Sequence, residues 1–239
     1  MKLEAPIVIK NKQICNQQGE LINLRGFTID TFLTPTKEIP ECFCSLDEND
    51  PDCTFDDIKR RGCGMIRWNL YWSIIEPEEG RFNEEYLAKL RDYVKLAHKA
   101  GLLVYFVPLL SVGKKPFWGT NTYPADKIID DESAGMYYVN LFSDAMNHAA
   151  RRLKDCENVI GFSIPQCYEE LMNAPVDSDT LSVLITQFID LLHKKHTQYF
   201  FLCETAELYD DAMKNKKESQ VNGILASIFL ENNHVMLTC

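Results

Sequence analysis

Short apolar segments alternate with amphipathic segments along most of this chain, and no other feature constrains its fold as strongly. Residues 102–109 are almost wholly hydrophobic, as expected of a strand that is buried on both faces of a sheet. Residues 83–101, just before them, carry apolar side chains at helical spacing and end in a glycine. Strand and helix signals that alternate in this way predict βαβ units and a parallel sheet.

Six strands are predicted in order, with helices between them. The predicted strands are residues 24–29, 65–70, 102–109, 158–164, 198–203 and 223–230, and the predicted helices are residues 54–62, 83–101, 133–153, 178–193 and 206–217. Residues 6–24 precede them and predict a short N-terminal β-hairpin with a turn around residues 16–19. Residues 234–238 could add a seventh strand.

These elements predict an α/β fold of the (β/α)8 TIM-barrel type, in one domain over residues 1–239. A closed barrel needs eight strands, and the sequence offers about six to seven. The chain is therefore expected to be either a fragment or a reduced barrel. Because an uncovered parallel edge is a liability, we expect a partner protein or a second copy of the chain to cover the open edge.

Charge and hydropathy narrow the classes of partner. The formal net charge is −10, which argues against nucleic acid or an anionic membrane as the main partner. No apolar run approaches the roughly 20 residues that span a bilayer, and the N-terminus lacks the apolar core of a signal peptide. We therefore expect a cytoplasmic protein, with a mature secreted form as the alternative.

The nine cysteines are an odd number and are scattered along the chain. Several lie in apolar segments, where a free cysteine behaves as a small hydrophobic residue, so we expect mostly reduced thiols. Cys42, Cys44 and Cys53 lie close together in the sequence, but no Cys-x-x-Cys or His pair accompanies them. We expect neither a metal nor a cofactor.

Four motifs carry a family resemblance. They are Leu-Arg-Gly-Phe at 24–27, Gly-Met-Ile-Arg-Trp-Asn-Leu at 64–70, Trp-Ser-Ile-Ile-Glu-Pro-Glu-Glu-Gly-Arg-Phe-Asn at 72–83, and Asn-Val-Ile-Gly-Phe-Ser-Ile at 158–164. In this order they resemble glycoside hydrolase family 5 and related cellulase-like retaining glycosidases, and the third motif is the most specific. The resemblance covers residues 6 to about 168. It implies hydrolysis of O-glycosyl bonds in β-linked glycans, with an oligosaccharide or glycoside as ligand.

The family's mechanism uses one glutamate as acid/base and a second, about 5 Å away, as nucleophile. The acid/base follows an asparagine at the end of strand four, where this chain has Gln166 and Cys167, followed by Tyr168. A thiol with an ordinary pKa of about 8.5 is a poor proton donor to a glycosidic oxygen. An alternative register aligns residues 170–175 with the family's Glu-Leu-Met-Asn-Glu-Pro. It requires an insertion within the strand, so we favour the first register, and both registers lose the glutamate.

The nucleophile position is also substituted in the alignment that the sequence allows. The family has it at the end of strand seven, and the nearest match, residues 235–239, places Cys239 there. Glu169 and Glu170 follow strand four and could replace the acid/base, although acidic residues there also cap or solvate a loop. Glu204 and Glu231 follow strands five and six and are further candidates for the cleft.

Other residues are candidates for substrate binding. Arg67 matches the family arginine that orients the nucleophile, and it could instead form a structural ion pair. Gln166 and Tyr168 follow strand four, and Trp118 belongs to an aromatic loop after strand three that suits sugar stacking. Trp72 is either a sugar contact or scaffold.

Together these features predict a relative of the retaining glycosidases in which catalysis is lost or impaired. The alternatives are an inactive carbohydrate-binding or scaffold protein and an incomplete piece of a larger enzyme.

Overall fold

The structure is a computed structural model. It describes residues 7–10, 13–16, 18–20, 25–29, 53–111, 117–119, 131–172, 175–205, 210–212, 214, 225–227 and 236–237. The strands are β1 (Val8–Lys10), β2 (Gln13–Cys15), β3 (Gly26–Ile29), β4 (Met65–Tyr71), β5 (Leu103–Leu109), β6 (Val159–Ser163), β7 (Phe200–Cys203), β8 (Leu225–Ser227) and β9 (Met236–Leu237). The helices are α1 (Phe55–Arg60), α2 (Trp72–Ile75), α3 (Glu84–Lys99), α4 (Asp131–Arg152), α5 (Tyr168–Met172) and α6 (Ser178–His193).

Strands β3 to β9 form one parallel sheet with the order β8-β7-β6-β5-β4-β3-β9. The six predicted barrel strands are therefore confirmed, and helices separate the first five of them as the sequence indicates. The predicted helix at residues 206–217 lies mostly outside the described residues. The seventh predicted strand is also present, and β9 pairs with the first barrel strand, β3, rather than with β8. A closed barrel joins its last strand to its first, so β9 takes the place of a closing strand.

The N-terminal hairpin is present, with Lys10 of β1 opposite Gln13 of β2. Ile14 and Cys15 of β2 are buried. The turn predicted around residues 16–19 is also present after β2, where the Gly19 amide donates to the Asn16 carbonyl oxygen at 2.9 Å and the Asn16 side-chain oxygen accepts from the Glu20 amide at 2.9 Å. The second hairpin strand that the sequence predicts, at residues 21–24, lies outside the described residues.

Side chains of the sheet alternate between two apolar layers, as the period of two in a strand requires. Trp68, Phe106 and Phe201 face the helices and belong to the larger layer. Met65 and Tyr105 face the other way, into a smaller inner layer that also contains Ile14 of the hairpin. Polar side chains on the inner face of the sheet can therefore meet across neighbouring strands.

The helices begin and end where local chemistry dictates. Thr54 caps α1 in a capping box with Asp57, and Asn83 caps α3 by accepting from the Tyr86 amide at 3.0 Å. Helix α6 has the predicted limits, and Asp177 caps it by accepting from two backbone amides. None of the described helices combines the length and hydrophobicity that a membrane span requires.

Candidate functional site

A polar cluster lies on the inner face of the sheet, and strand alternation assembles it. Arg67 and Asn69 lie two residues apart on β4, Tyr105 pairs in register with Arg67 from β5, and Glu204 directly follows β7. The neighbouring residues Trp68 on β4 and Phe106 on β5 face the helices instead. Four polar side chains from three strands therefore converge within an otherwise apolar interior.

Arg67 and Glu204 form a two-pronged ion pair at the centre of this cluster. Arg67 Nε donates to Glu204 Oε1 at 2.7 Å, and Nη2 donates to Oε2 at 2.9 Å. The side chains are 23% and 15% exposed, so solvent reaches the pair without surrounding it. A two-pronged, charge-assisted contact of this kind fixes the plane of the carboxylate.

Two neighbours complete the hydrogen bonding of the pair. Asn69 Oδ1 accepts from Arg67 Nη1 at 2.8 Å, and the Tyr105 hydroxyl donates to Glu204 Oε1 at 2.9 Å. Burial, and then the charge of Glu204, raise the pKa of Tyr105 well above its ordinary value. Tyr105 therefore remains a hydrogen-bond donor at neutral pH, and it fixes the position of the Glu204 carboxylate further.

The end of β6 carries Gln166 and Cys167, which the sequence analysis predicts at the positions of the Asn-Glu pair in the family that the motifs resemble. Gln166 is exposed, whereas Cys167 is only 6% exposed and belongs to the apolar layer between sheet and helices. Burial, and then the charge of Glu170, raise the pKa of the Cys167 thiol far above its ordinary value. In this structure the thiol faces away from the inner surface and stays protonated.

The end of β6 also bears on the two registers that the sequence allows. Strand β6 runs continuously from Val159 to Ser163, and Gln166 and Cys167 lie shortly after its end. Residues 170–172, which the alternative register places at the strand end, lie in helix α5. This arrangement agrees with the first register, which stays a prediction.

A small cavity of about 220 Å³ opens beside the ends of β6 and β7. Its lining residues are Pro165, Gln166, Tyr168, Glu169, Val176, Leu181 and Thr205. The Tyr168 hydroxyl is buried and has no hydrogen-bond partner among the described residues, and burial raises its pKa well above the ordinary value. The cavity therefore combines apolar walls with a buried phenol, an amide and a carboxylate.

Trp72 packs as scaffold in this structure. It is fully buried, its Nε1 donates to Glu76 at 2.8 Å, and its ring meets the Trp118 ring edge-on at 4.9 Å between centroids. Trp118 Nε1 donates to the backbone oxygen of Glu76 at 2.7 Å and is partly exposed. Trp72 therefore presents no surface to a sugar, whereas Trp118 keeps some.

The remaining predicted site residues divide into two groups. Glu169 and Glu170 are both exposed, in the first turn of α5, and of the two only Glu169 lines the cavity. Glu231 and Cys239 lie outside the described residues. The sequence analysis did not single out Asn69 or Tyr105. Asn69 lies two residues from Arg67 on β4, so the period of two places it on the same face of the sheet. Tyr105 lies opposite Arg67 on β5.

The fold is similar to part of several glycosidase structures. The structure of an endogalactoceramidase matches with a TM-score of 0.61 and 16% identity over 85% of this chain and 54% of that one. Endo-glycoceramidase II from Rhodococcus sp., in complex with a cellobiose-like isofagomine, matches with a TM-score of 0.57 and 14% identity. The match covers 80% of this chain and 51% of that one. The catalytic domain of the Thermobifida fusca endoglucanase Cel5A, in complex with cellotetraose, matches with a TM-score of 0.50 and 14% identity. The match covers 93% of this chain and 62% of that one.

Sequence comparison adds a shorter match. A stretch of 77 residues is 34% identical to the β-galactosidase Pbg of Clostridium perfringens, and it covers 32% of this chain and 10% of that protein. No profile of a known protein family matches the chain. The chain spans about half the length of the two ceramidase structures it matches.

Proposed function

We propose that this protein binds an oligosaccharide or glycoside around the ends of β6 and β7, where Glu204 and the small cavity lie, and that its hydrolytic activity is lost or impaired. Sugars are bound by fixed polar groups between apolar walls. Glu204, held by Arg67 and Tyr105, offers a fixed carboxylate to sugar hydroxyl groups. Gln166 and Tyr168 offer an amide and a phenol nearby.

The observation that carries the loss of activity is the position of Cys167. Retaining hydrolysis needs an acid that protonates the leaving oxygen, and that acid must lie within hydrogen-bond reach of it. The thiol that replaces it is buried against the helices, and burial raises its pKa. A group that faces the core and holds its proton cannot serve as that acid.

A second candidate function is hydrolysis by displaced carboxylates. It is supported by Glu169, which lines the same cavity as Gln166, and by Glu204 in the neighbouring cluster. In that case Glu169 would donate the proton and Glu204 would act as the nucleophile or stabilise charge.

One set of variants separates the two functions. Aryl β-glucosides and β-galactosides with a fluorogenic aglycone report hydrolysis, and calorimetry with cello-oligosaccharides and lactose reports binding. We expect saturable binding without aglycone release, and binding about tenfold weaker in Glu204→Gln, because a hydrogen bond to a charged group contributes about 1.5–3 kcal/mol. Glu157→Gln, an exposed substitution before β6, is the control and should bind like the parent protein.

The outcomes are distinct. Release that survives Cys167→Ala and disappears in Glu169→Gln or Glu204→Gln would establish the second candidate. A folded protein that neither binds nor hydrolyses any of these glycosides would refute both.

We also propose a compartment, from the state of the thiols. Cys63, Cys156, Cys167 and Cys203 are free and buried, and Cys15 and Cys53 are buried as well. Buried reduced thiols support a reducing compartment such as the cytoplasm. Labelling of intact cells with a fusion reporter at either terminus tests this assignment.

A further inference from the structure

A second and larger cavity, of about 700 Å³, lies on the outer helical layer. Its lining includes Phe82, Asp144, His148, Arg151, Lys154 and Lys195. Lys154 precedes β6 and Gln198, which also lines the cavity, precedes β7. The cavity therefore lies toward the opposite end of these strands from Glu204, and we call it the basic groove.

The basic groove is positively charged on a strongly acidic protein. Arg151, Lys154 and Lys195 line it, against the single carboxylate of Asp144, while the chain as a whole carries −10. Asp144 lies 3.5 Å from Lys195 in an exposed pair. No carboxylate of the described residues pairs with Arg151 or Lys154. Two cations of the groove thus lack a counter-charge from the described part of the chain.

Arg151 is held in place by a chain of contacts. His148 stacks on Phe82 with ring centroids 3.8 Å apart, and its Nε2 lies 2.8 Å from Glu84 Oε1. Its Nδ1 lies 3.0 Å from Arg151 Nη2. Because a guanidinium only donates, Nδ1 must accept and Nε2 must donate to Glu84. His148 thus orients Arg151 toward the groove, with most of the guanidinium donors still available.

Polar groups also form the floor of the groove. His196 is 8% exposed and Asn147 is 5% exposed, and both line it. Asn147 Oδ1 is buried and has no hydrogen-bond partner among the described residues. Burial first, and then the charges of Lys195 and Arg151, lower the pKa of His196, which agrees with a positive local field. A buried amide oxygen without a partner suits a ligand that also carries a hydroxyl donor.

We propose that the basic groove binds a hydroxylated small molecule that bears a phosphate or sulfate group. Arginine and lysine donors converge on the oxyanion, and arginine matches its geometry with paired N–H groups. Arg151 lies in the last turn of α4, where a cation also offsets the helix dipole. Offsetting the dipole does not require a fixed orientation of the guanidinium. The contacts from Glu84 through His148 to Arg151 nevertheless fix that orientation. The volume of the basic groove, about 700 Å³, far exceeds that of a bare anion and fits a small organic ligand.

Calorimetry on the full chain tests this proposal with glycerol 3-phosphate, inorganic phosphate and inorganic sulfate, each at constant ionic strength in chloride. We expect saturable binding at one site, with glycerol 3-phosphate tighter than inorganic phosphate, because its hydroxyl groups can reach Asn147. The ratio of phosphate to sulfate affinity identifies which oxyanion the groove prefers. Arg151→Gln and Lys195→Gln should each weaken binding about tenfold, since each removes a charged hydrogen-bond donor.

Arg81→Gln is the matched control, because Arg81 is an exposed arginine paired with Glu78 outside the groove, and it should leave the affinity unchanged. The imidazole resonances of His148 and His196 should shift in parallel with binding. Equal binding by the parent protein and by a folded Arg151→Gln/Lys195→Gln double variant would overturn the proposal. So would an anion effect that chloride reproduces, because that effect would be charge screening alone.

Discussion

Glu204 accepts three hydrogen bonds, two from Arg67 and one from Tyr105. Replacing it with alanine leaves a partly buried guanidinium without its carboxylate. We expect Glu204→Ala to lower the free energy of unfolding by about 1–3 kcal/mol, measured by urea denaturation. As a control, Glu78→Ala breaks the exposed Arg81–Glu78 pair. It should change the free energy of unfolding by at most about 1 kcal/mol.

A double-mutant cycle separates the pair from its surroundings. If Arg67→Ala, Glu204→Ala and the double variant give additive changes, the two side chains do not interact, and the central ion pair is refuted. A non-additive result of about 1 kcal/mol or more supports it.

The sequence identified Arg67 and Glu204 as separate candidates but not as partners. Arg67 was marked by a motif and Glu204 by its position after a strand, and both features are local. Their contact depends on which strands are neighbours and on the register between β4, β5, β6 and β7. For Cys167 the residue type could be read from the sequence, whereas the face to which its thiol points depends on how α5 packs against the sheet.

At the scale of single elements, strand β6 approaches β7 very closely at Gly161. A Cβ at this position would lie 1.9 Å from the backbone oxygen of Phe200. Gly161→Ala must therefore push the two strands apart, and overpacking of this kind destabilises a protein by about 1–3 kcal/mol. The change is measured as a shift in the thermal or urea midpoint.

Gly80→Ala provides the comparison. The added methyl meets nothing within 4 Å, and only the backbone angle, φ +76°, opposes it. The expected loss is about 1 kcal/mol, from the left-handed conformation alone. Equal effects of the two substitutions would show that contact with β7 does not matter.

Elements with strong local signals were predictable, and short ones were not. Helix α6 has the predicted limits because Asp177 caps it and its apolar residues repeat at helical spacing. Helices α2 and α5 have four and five residues, which is too short for a helical period to appear. The pairing of β9 with β3 has no local signal at all, because it is a contact between distant parts of the chain.

At the scale of the whole molecule, buried acids that stay neutral make the fold sensitive to alkali. Burial raises the pKa of Cys167 and Cys203 and that of Tyr199 to about 12. In the unfolded chain a thiol ionises near its ordinary pKa of about 8.5. These groups stabilise the fold fully below that pH, and the stabilisation is lost as the pH rises above it.

We therefore expect the urea midpoint to fall between about pH 8 and about pH 10, within the ordinary thiol range. The Cys167→Ala/Cys203→Ala variant should show a smaller fall over the same interval, even if it is less stable throughout. A midpoint that does not change with pH in the parent protein would contradict the burial of these thiols.

The pairing of β9 with β3 has a consequence for the order in which the sheet forms. Gly26 faces Met236 and Phe27 faces Leu237, so nearly the entire chain separates the partners. Closing so long a loop costs more entropy than pairing adjacent strands, and contacts of high sequence separation slow folding. During synthesis, the edge of β3 that pairs with β9 gains this neighbour only after Met236 and Leu237 have been made. We therefore expect closure at this edge to be a late event in folding.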